Sequence, residues 1–238
     1  MKRPSIALLS LFAAALVAMA VVTAPVRADD AKPKKAKPAK MVASTDKAIA
    51  AIDAQIAAAK VDKKVPGWKQ HLPQPKVVTF DPAKHYYAHM TTNVGTMVIE
   101  FKPKVAPMHV TNFIYLSRLG FYDGLKFHRV IKGFMAQGGD PAGNGSGGPG
   151  YSYAGEVSPN VKHDQLGVLS TANAGPDTDG SQFFLMFKAY PSLDMHYSIF
   201  GQVVEGMDVV KKLEDAGNPG DGPPLQPLNI ISVTIDAK

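Results

Sequence analysis

The chain reads as a mainly β protein, a closed β-barrel preceded by an N-terminal extension, and three observations predict it. From His85 onward, short runs of alternating apolar and polar residues recur, which is the two-residue period of half-buried strands. Glycine-rich turns separate those runs. Only two helical patterns interrupt them, and many short strands with few helices close most simply into a barrel, which leaves no strand edge unpaired. With 238 residues, 45% apolar and 19% charged, the composition suits one or two globular domains with a sizeable core.

The elements follow in order. Residues 1–28 carry Lys2 and Arg3, an apolar run from Ile6 to Val22 and the ending Val26-Arg27-Ala28. This pattern predicts a cleaved secretory signal, and hence an exported protein, periplasmic or secreted. The alternative is an uncleaved N-terminal anchor, because the run approaches the roughly 20 residues that span a bilayer. Residues 29–43 form a basic low-complexity linker around Lys32, Lys34, Lys35, Lys37 and Lys40, a solvated tether with nothing to bury. Residues 44–84 form a helix and a proline-rich extension. Ser44 can cap the helix, Asp46 sits in its first turn, and Ile49, Ile52 and Ile56 share one face. That face needs a partner, either the main domain or another chain. Val65 to Pro75 is expected to lie extended over the surface, with Trp68 as its anchor.

The domain of residues 85–238 opens with a hairpin turn at Asn93-Val94-Gly95 and a strand that puts Met97, Ile99 and Phe101 on one face. A helix is predicted from Ala106 to Leu119, with Pro107 in its first turn, Val110, Phe113 and Ile114 on one face, and Gly120 past its end. A second helix runs from Met207 to Ala216 and stops at Gly217. The last strand alternates Ile231, Val233 and Ile235.

Composition and motifs exclude several kinds of chemistry. The net charge of +6 is carried by the leader and by the five linker lysines. The domain itself is near neutral or slightly acidic, which gives nucleic-acid binding no support. Without cysteine there is no disulfide, thiol nucleophile or thiolate metal site. Gly145 to Gly150 matches GxGxxG in form, but Pro149 lacks an N–H and no helix follows, so it is no phosphate cradle. His85 and His89, four apart on a strand, lie about 13 Å from each other, too far to share an ion. Ser170, Ser181 and Ser192 have no adjacent base that the sequence identifies. The expectation is therefore an enzyme or binding module with no cofactor and no metal, acting as a monomer.

The stretch that the chain is organised around is Phe127-His128-Arg129-Val130-Ile131-Lys132-Gly133-Phe134-Met135-Ala136-Gln137-Gly138-Gly139-Asp140. Read as a strand from Phe127 to Ile131, it places Arg129 on one face with Phe127 and Ile131. An arginine is almost never buried unpaired. Either a carboxylate meets Arg129 or it lines a cleft that receives a ligand. A second stretch, Val168 to Leu185, repeats the pattern of strand, polar turn and strand, with Gln182 and Phe184 on one face.

Taken together, FHRVIKGFMAQGGD, the glycine loop Gly143 to Gly148, ANAGPDTDGSQFF, and Leu193-Asp194 through Phe200-Gly201 resemble the cyclophilin family of peptidyl-prolyl cis-trans isomerases, over about Tyr87 to Ile235. The resemblance implies a barrel of eight antiparallel strands capped by a helix at each end. It implies isomerase activity on X-Pro bonds, with Arg129 as the catalytic group. Phe134, Met135, Phe184 and Leu193 would line the pocket for the proline ring, and Gln137, Ala172, Asn173 and Gln182 would contact the peptide. Two rim positions depart from well-studied members, with Ser192 where a tryptophan stands and Tyr197 where a histidine stands. The expected partners are proline-containing segments of exported proteins, with cyclosporin bound weakly. The alternative function is a binding or chaperone-like module that uses the same pocket with little turnover.

Overall fold

The computed structural model describes residues 44–238; the expected signal and basic linker lie outside the described residues. Helix α1 (Lys47–Ala59) starts at Asp46, whose carboxylate accepts from the N–H groups of Ala48 and Ile49 at 2.9 and 3.1 Å. Asp46 is therefore the cap. Ser44 acts one step earlier, accepting from the Asp46 N–H at 3.1 Å. Ile49 and Ile52 are buried in the main core, and Asp53 pairs with Arg118 of helix α2 (Pro107–Arg118). The partner of the isoleucine face is thus the main domain. Beyond α1 the extension stays pinned. Lys69 Nζ donates to the Asp123 carbonyl at 2.9 Å, the Leu72 N–H donates to the Pro149 carbonyl at 2.9 Å, and the half-buried Trp68 packs against the core.

Eight strands form one antiparallel sheet: β1 (Tyr86–Thr92), β2 (Gly95–Phe101), β3 (Arg129–Ile131), β4 (Met135–Gly138), β5 (Val168–Thr171), β6 (Phe183–Met186), β7 (Ile199–Glu205) and β8 (Ile230–Ala237). They are ordered β3-β4-β6-β5-β7-β2-β1-β8. The β1–β2 hairpin turns where the sequence predicts, with Thr92 opposite Gly95. The closed barrel is a correction: no ladder joins β3 to β8, and the sheet is an open half-barrel. Its two ends meet at the isolated bridge Lys126–Asn229, where the Phe127 and Ile230 N–H groups donate to the carbonyls of Leu228 and Leu125, and the Gly124 N–H donates to the Ile230 carbonyl beside it. The free edge of β3 is occupied instead by the stretch from Asn218 to Gly222, which exchanges hydrogen bonds with Val130 and Lys132. A segment rich in glycine and proline can border a strand but cannot extend a sheet.

Helix α2 fills the half-barrel. Its Phe113 ring stacks on Tyr122 at 4.7 Å and meets Phe101, Phe183 and Phe200 edge-on or tilted at 5.5–5.6 Å, geometries that aromatic quadrupoles favour. Helix α3 (Met207–Asp215) packs against the sheet through Val209, Val210 and Leu213.

Two strand assignments change. The strand that holds Arg129 begins there and not at Phe127, so Phe127 sits in the main core with Val130 while Arg129 and Ile131 face the other way. In β8 a register shift opposite Thr91 and Thr92 leaves Ile231 unpaired and exposed, and Ile230 is buried in its place. A one-residue bulge reverses which side chains face the core.

Candidate active site

Alternation on the central strands builds the site. On β6, Phe183 and Leu185 enter the main core, whereas Phe184 and Met186 join a second, smaller cluster with Met135, Val168 and Ile199 on the opposite side of the sheet. Phe134, Ala172, Leu193 and Tyr197 pack onto that cluster. A cavity of about 220 Å³ opens there, lined by Arg129, Phe134, Met135, Gln137, Ala172, Asn173, Phe184, Leu193 and Tyr197. It is smaller than the roughly 300–1,000 Å³ clefts that hold drug-sized ligands. One small ring suits it better.

Nine of the ten residues expected at the site therefore share one pocket. The tenth, Gln182, stands just behind it and fixes the polar wall. Arg129 Nη1 donates to Gln137 Oε1 at 3.2 Å, and Gln137 Nε2 donates to Gln182 Oε1 at 2.9 Å. Gln182 Nε2 in turn donates to the carbonyls of Gly145 and Gly147, both at 2.9 Å. The glycine loop is held from within by Asp140, which accepts from the N–H groups of Ala142, Asn144 and Gly145 at 2.6–2.8 Å. Those bonds outweigh burial and hold the Asp140 carboxyl below the usual range. Gly139 must be glycine, because at φ +83° a Cβ would stand 2.3 Å from the Ser181 carbonyl oxygen. Asn173 is anchored from below, donating from Nδ2 to Asp179 Oδ1 at 2.7 Å.

Arg129 meets both conditions that its apolar setting demands. It lines the cleft, and a carboxylate also meets it, with Nε and Nη2 donating to Asp221 Oδ1 and Oδ2 at 2.6 and 2.8 Å. That ion pair raises the guanidinium pKa and lowers that of Asp221. Sequence reasoning missed Asp221, since it lies 92 residues away in a loop without periodicity. At the rim, Ser192 is not part of the proline-sized pocket and lines a neighbouring groove. The Tyr190 ring lies 4.7 Å from that of Phe134, tilted against it, while Tyr197 meets Phe184 edge-on at 5.5 Å.

Three other arrangements bear on chemistry. Ser170 does have an adjacent base: its hydroxyl lies 2.8 Å from His163 Nε2, and His163 Nδ1 lies 3.0 Å from Asp194 Oδ1. Burial outweighs Asp194 and pushes the imidazole pKa down, so a neutral ring accepts from Ser170 and donates to Asp194. Both Ser170 and His163 are fully buried, and no acyl group can reach that hydroxyl. The line is a staple. It ties β5 to the loop that carries Leu193. His85 and His89 do not share a site; they pair with Glu100 at 2.5 Å and Asp236 at 3.2 Å. Gly145 to Gly150 continues as a loop to Tyr153 and leads into no helix.

The half-barrel thus carries a ring-sized apolar pocket, walled on one side by an arginine and amides that hydrogen bonds hold in place. The family model for "Cyclophilin type peptidyl-prolyl cis-trans isomerase/CLD" matches residues 87–235. The chain belongs to that family and is a peptidyl-prolyl cis-trans isomerase. It is 48% identical over 134 residues to a peptidyl-prolyl cis-trans isomerase of Helicobacter pylori, covering 56% of this chain and 82% of the relative. A peptidyl-prolyl cis-trans isomerase of Arabidopsis thaliana is 40% identical over 149 residues, 61% of this chain and 91% of that one. A peptidyl-prolyl cis-trans isomerase-like protein of Gibberella zeae is 43% identical over 152 residues, but the match spans only 26% of its length. Among solved structures, a cyclophilin-type isomerase of Cryptosporidium parvum, crystallised in the presence of the dipeptide Ala-Pro, superposes with a TM-score of 0.61 at 35% identity. That match covers 63% of this chain and 98% of the other.

Proposed function

We propose that the chain isomerises X-Pro bonds in proline-containing segments of exported proteins, with Arg129 donating to the prolyl nitrogen of the twisted amide. The observation that carries this reading is a guanidinium held in place at the wall of an apolar, ring-sized pocket. An X-Pro bond crosses a barrier near 18–20 kcal/mol because twisting breaks amide conjugation, and uncatalysed exchange takes tens to hundreds of seconds. Millisecond turnover requires about 7 kcal/mol of barrier lowering. No covalent bond need form. At the twisted geometry the prolyl nitrogen regains its lone pair, so a donor aimed at it binds more strongly there than in either ground state. Phe134, Met135, Phe184 and Leu193 hold the ring in a dry environment that strengthens that bond, and Gln137 and the Asn173 backbone fix the flanking peptide.

A protease-coupled assay on an Ala-Pro peptide tests the assignment. Arg129→Ala should lower kcat/KM by a factor on the order of 10²–10³, the usual cost of one preorganised donor, with the fold intact. Arg129→Lys should recover only part, because an ammonium lacks the planar fork. Near-normal turnover by a folded Arg129→Ala protein would sink the mechanism. The export half of the proposal rests on residues 1–28 and places the mature N-terminus at Asp29. Intact mass of protein from its native host reads it directly, and a mass that retains residues 1–28 would favour the anchor.

A further inference from the structure

We propose that Asp221 is a positioning residue for isomerisation, holding the Arg129 guanidinium in the orientation that aims its remaining donors into the pocket. The proposal rests on Arg129 being the donor to the twisted amide. A guanidinium has five N–H bonds in a rigid plane. Asp221 takes the Nε edge bidentately, at 2.6 and 2.8 Å, which fixes that plane. Gln137 then takes one proton of Nη1 at 3.2 Å, and the second Nη1 proton and one on Nη2 remain free for a ligand.

An exposed ion pair is by default only a solvated surface contact. What sets this one apart is its backbone. The stretch that carries Asp221 is stitched to the strand that carries Arg129 on both sides of the carboxylate. Asn218 donates to the Val130 carbonyl at 2.8 Å and accepts from the Lys132 N–H at 2.9 Å; Gly222 accepts from the Val130 N–H at 3.0 Å. Asn218 Oδ1 also accepts from the Gly220 N–H at 2.9 Å, and the Leu225 N–H closes the loop base onto the Ala216 carbonyl at 2.8 Å. Pro219, Pro223 and Pro224 limit the remaining freedom. A one-residue spacing along docked backbone thus places Asp221 beside Arg129, and the loop that borders the edge of β3 is the one that supplies the carboxylate.

The test uses the full chain in the protease-coupled assay, with turnover and melting temperature measured together. Asp221→Asn should lower kcat about tenfold, as losses of orienting partners do elsewhere, with KM within about twofold and the melting temperature unchanged because the pair is largely exposed. Asp221→Glu should restore part of the loss. In an Arg129→Ala background, Asp221→Asn should add nothing, since residues that act as a unit are not additive. Native kcat in Asp221→Asn would overturn the proposal while leaving the isomerase reading intact. So would an equal loss in the Arg129→Ala background, or a change in KM alone, which would make Asp221 a peptide contact. Absence of turnover in the native protein, or an Arg129→Ala protein as active as native, would remove the reading on which the proposal stands and the proposal with it.

Discussion

Replacing His109 should destabilise the protein strongly, and by an amount that shrinks as pH rises. His109 sits in the first turn of α2 and is fully buried. Its Nδ1 lies 2.6 Å from Glu156 Oε2 and its Nε2 lies 2.8 Å from Asp179 Oδ2. Ionised carboxylates only accept, so both ring nitrogens must donate and the ring is an imidazolium. Burial opposes that charge, but the bonds to Asp179 and Glu156 outweigh it and raise the pKa above the ordinary value. His109→Gln removes the charge and leaves two carboxylates facing each other without it. Breaking a buried pair in this way costs about 3–5 kcal/mol. At roughly 2–4 °C per kcal/mol for a chain of this size, the melting temperature should fall by about 6–20 °C near pH 6. Because the native pKa is raised, the contribution is complete below the unfolded value of about 6.5. It then declines by at most about 1.4 kcal/mol per pH unit until pH passes the native value. Glu156 has the opposite sign. Its carboxyl is held below the ordinary range by His109 and two helix N–H groups against the effect of burial, so its share is lost as pH falls through that native value. Urea unfolding of both proteins from pH 5.5 to 9 measures the gap. Curves that stay parallel over that range would refute the imidazolium.

Ile52→Ala should cost about 2–5 kcal/mol, since Ile52 is fully buried in the core shared with α2. Turnover per folded molecule should stay within a few-fold, because α1 contributes no pocket residue; a hundredfold loss would tie the extension to the site. Cyclosporin should bind weakly, and Tyr190→Ala should weaken it a further two- to tenfold by removing the ring on Phe134. Calorimetric titration reads the affinity, and an unchanged Kd would place the rim contact elsewhere.

The helices were legible to within a few residues, because proline at a helix start and glycine past its end act locally. The pocket residues were legible because each lies within one of three short motifs, at residues 127–140, 172–184 and 193–201. What escaped the sequence is whatever depends on pairing between distant segments. The bulge at Ile231 is set by the partner strand, and the open edge depends on where residues 218–222 come to rest against β3. Asp221 on Arg129, Glu156 and Asp179 on His109, and His163 on Ser170 join residues 92, 47, 70 and 7 positions apart. No period marks such pairs, and even the shortest lies across a turn.

These unforeseen contacts share a location: each holds an element that borders the pocket. His163 ties the Leu193 loop to β5, Asp179 holds Asn173 while itself held by His109, and Asp221 holds Arg129. The reason lies in the sheet. Strands β4 and β6 spend one face on the main core, so the pocket on their other face has only the small cluster around Met135, Phe184 and Met186 beneath it. Apolar burial on that scale cannot fix loops to the tolerance that a donor aimed at one nitrogen demands. Directional bonds to buried or docked partners can, since each fixes an angle as well as a distance. The polar staples around the pocket thus do there what jigsaw packing does on the α2 side, and the catalytic face is held by hydrogen bonds where the structural face is held by rings.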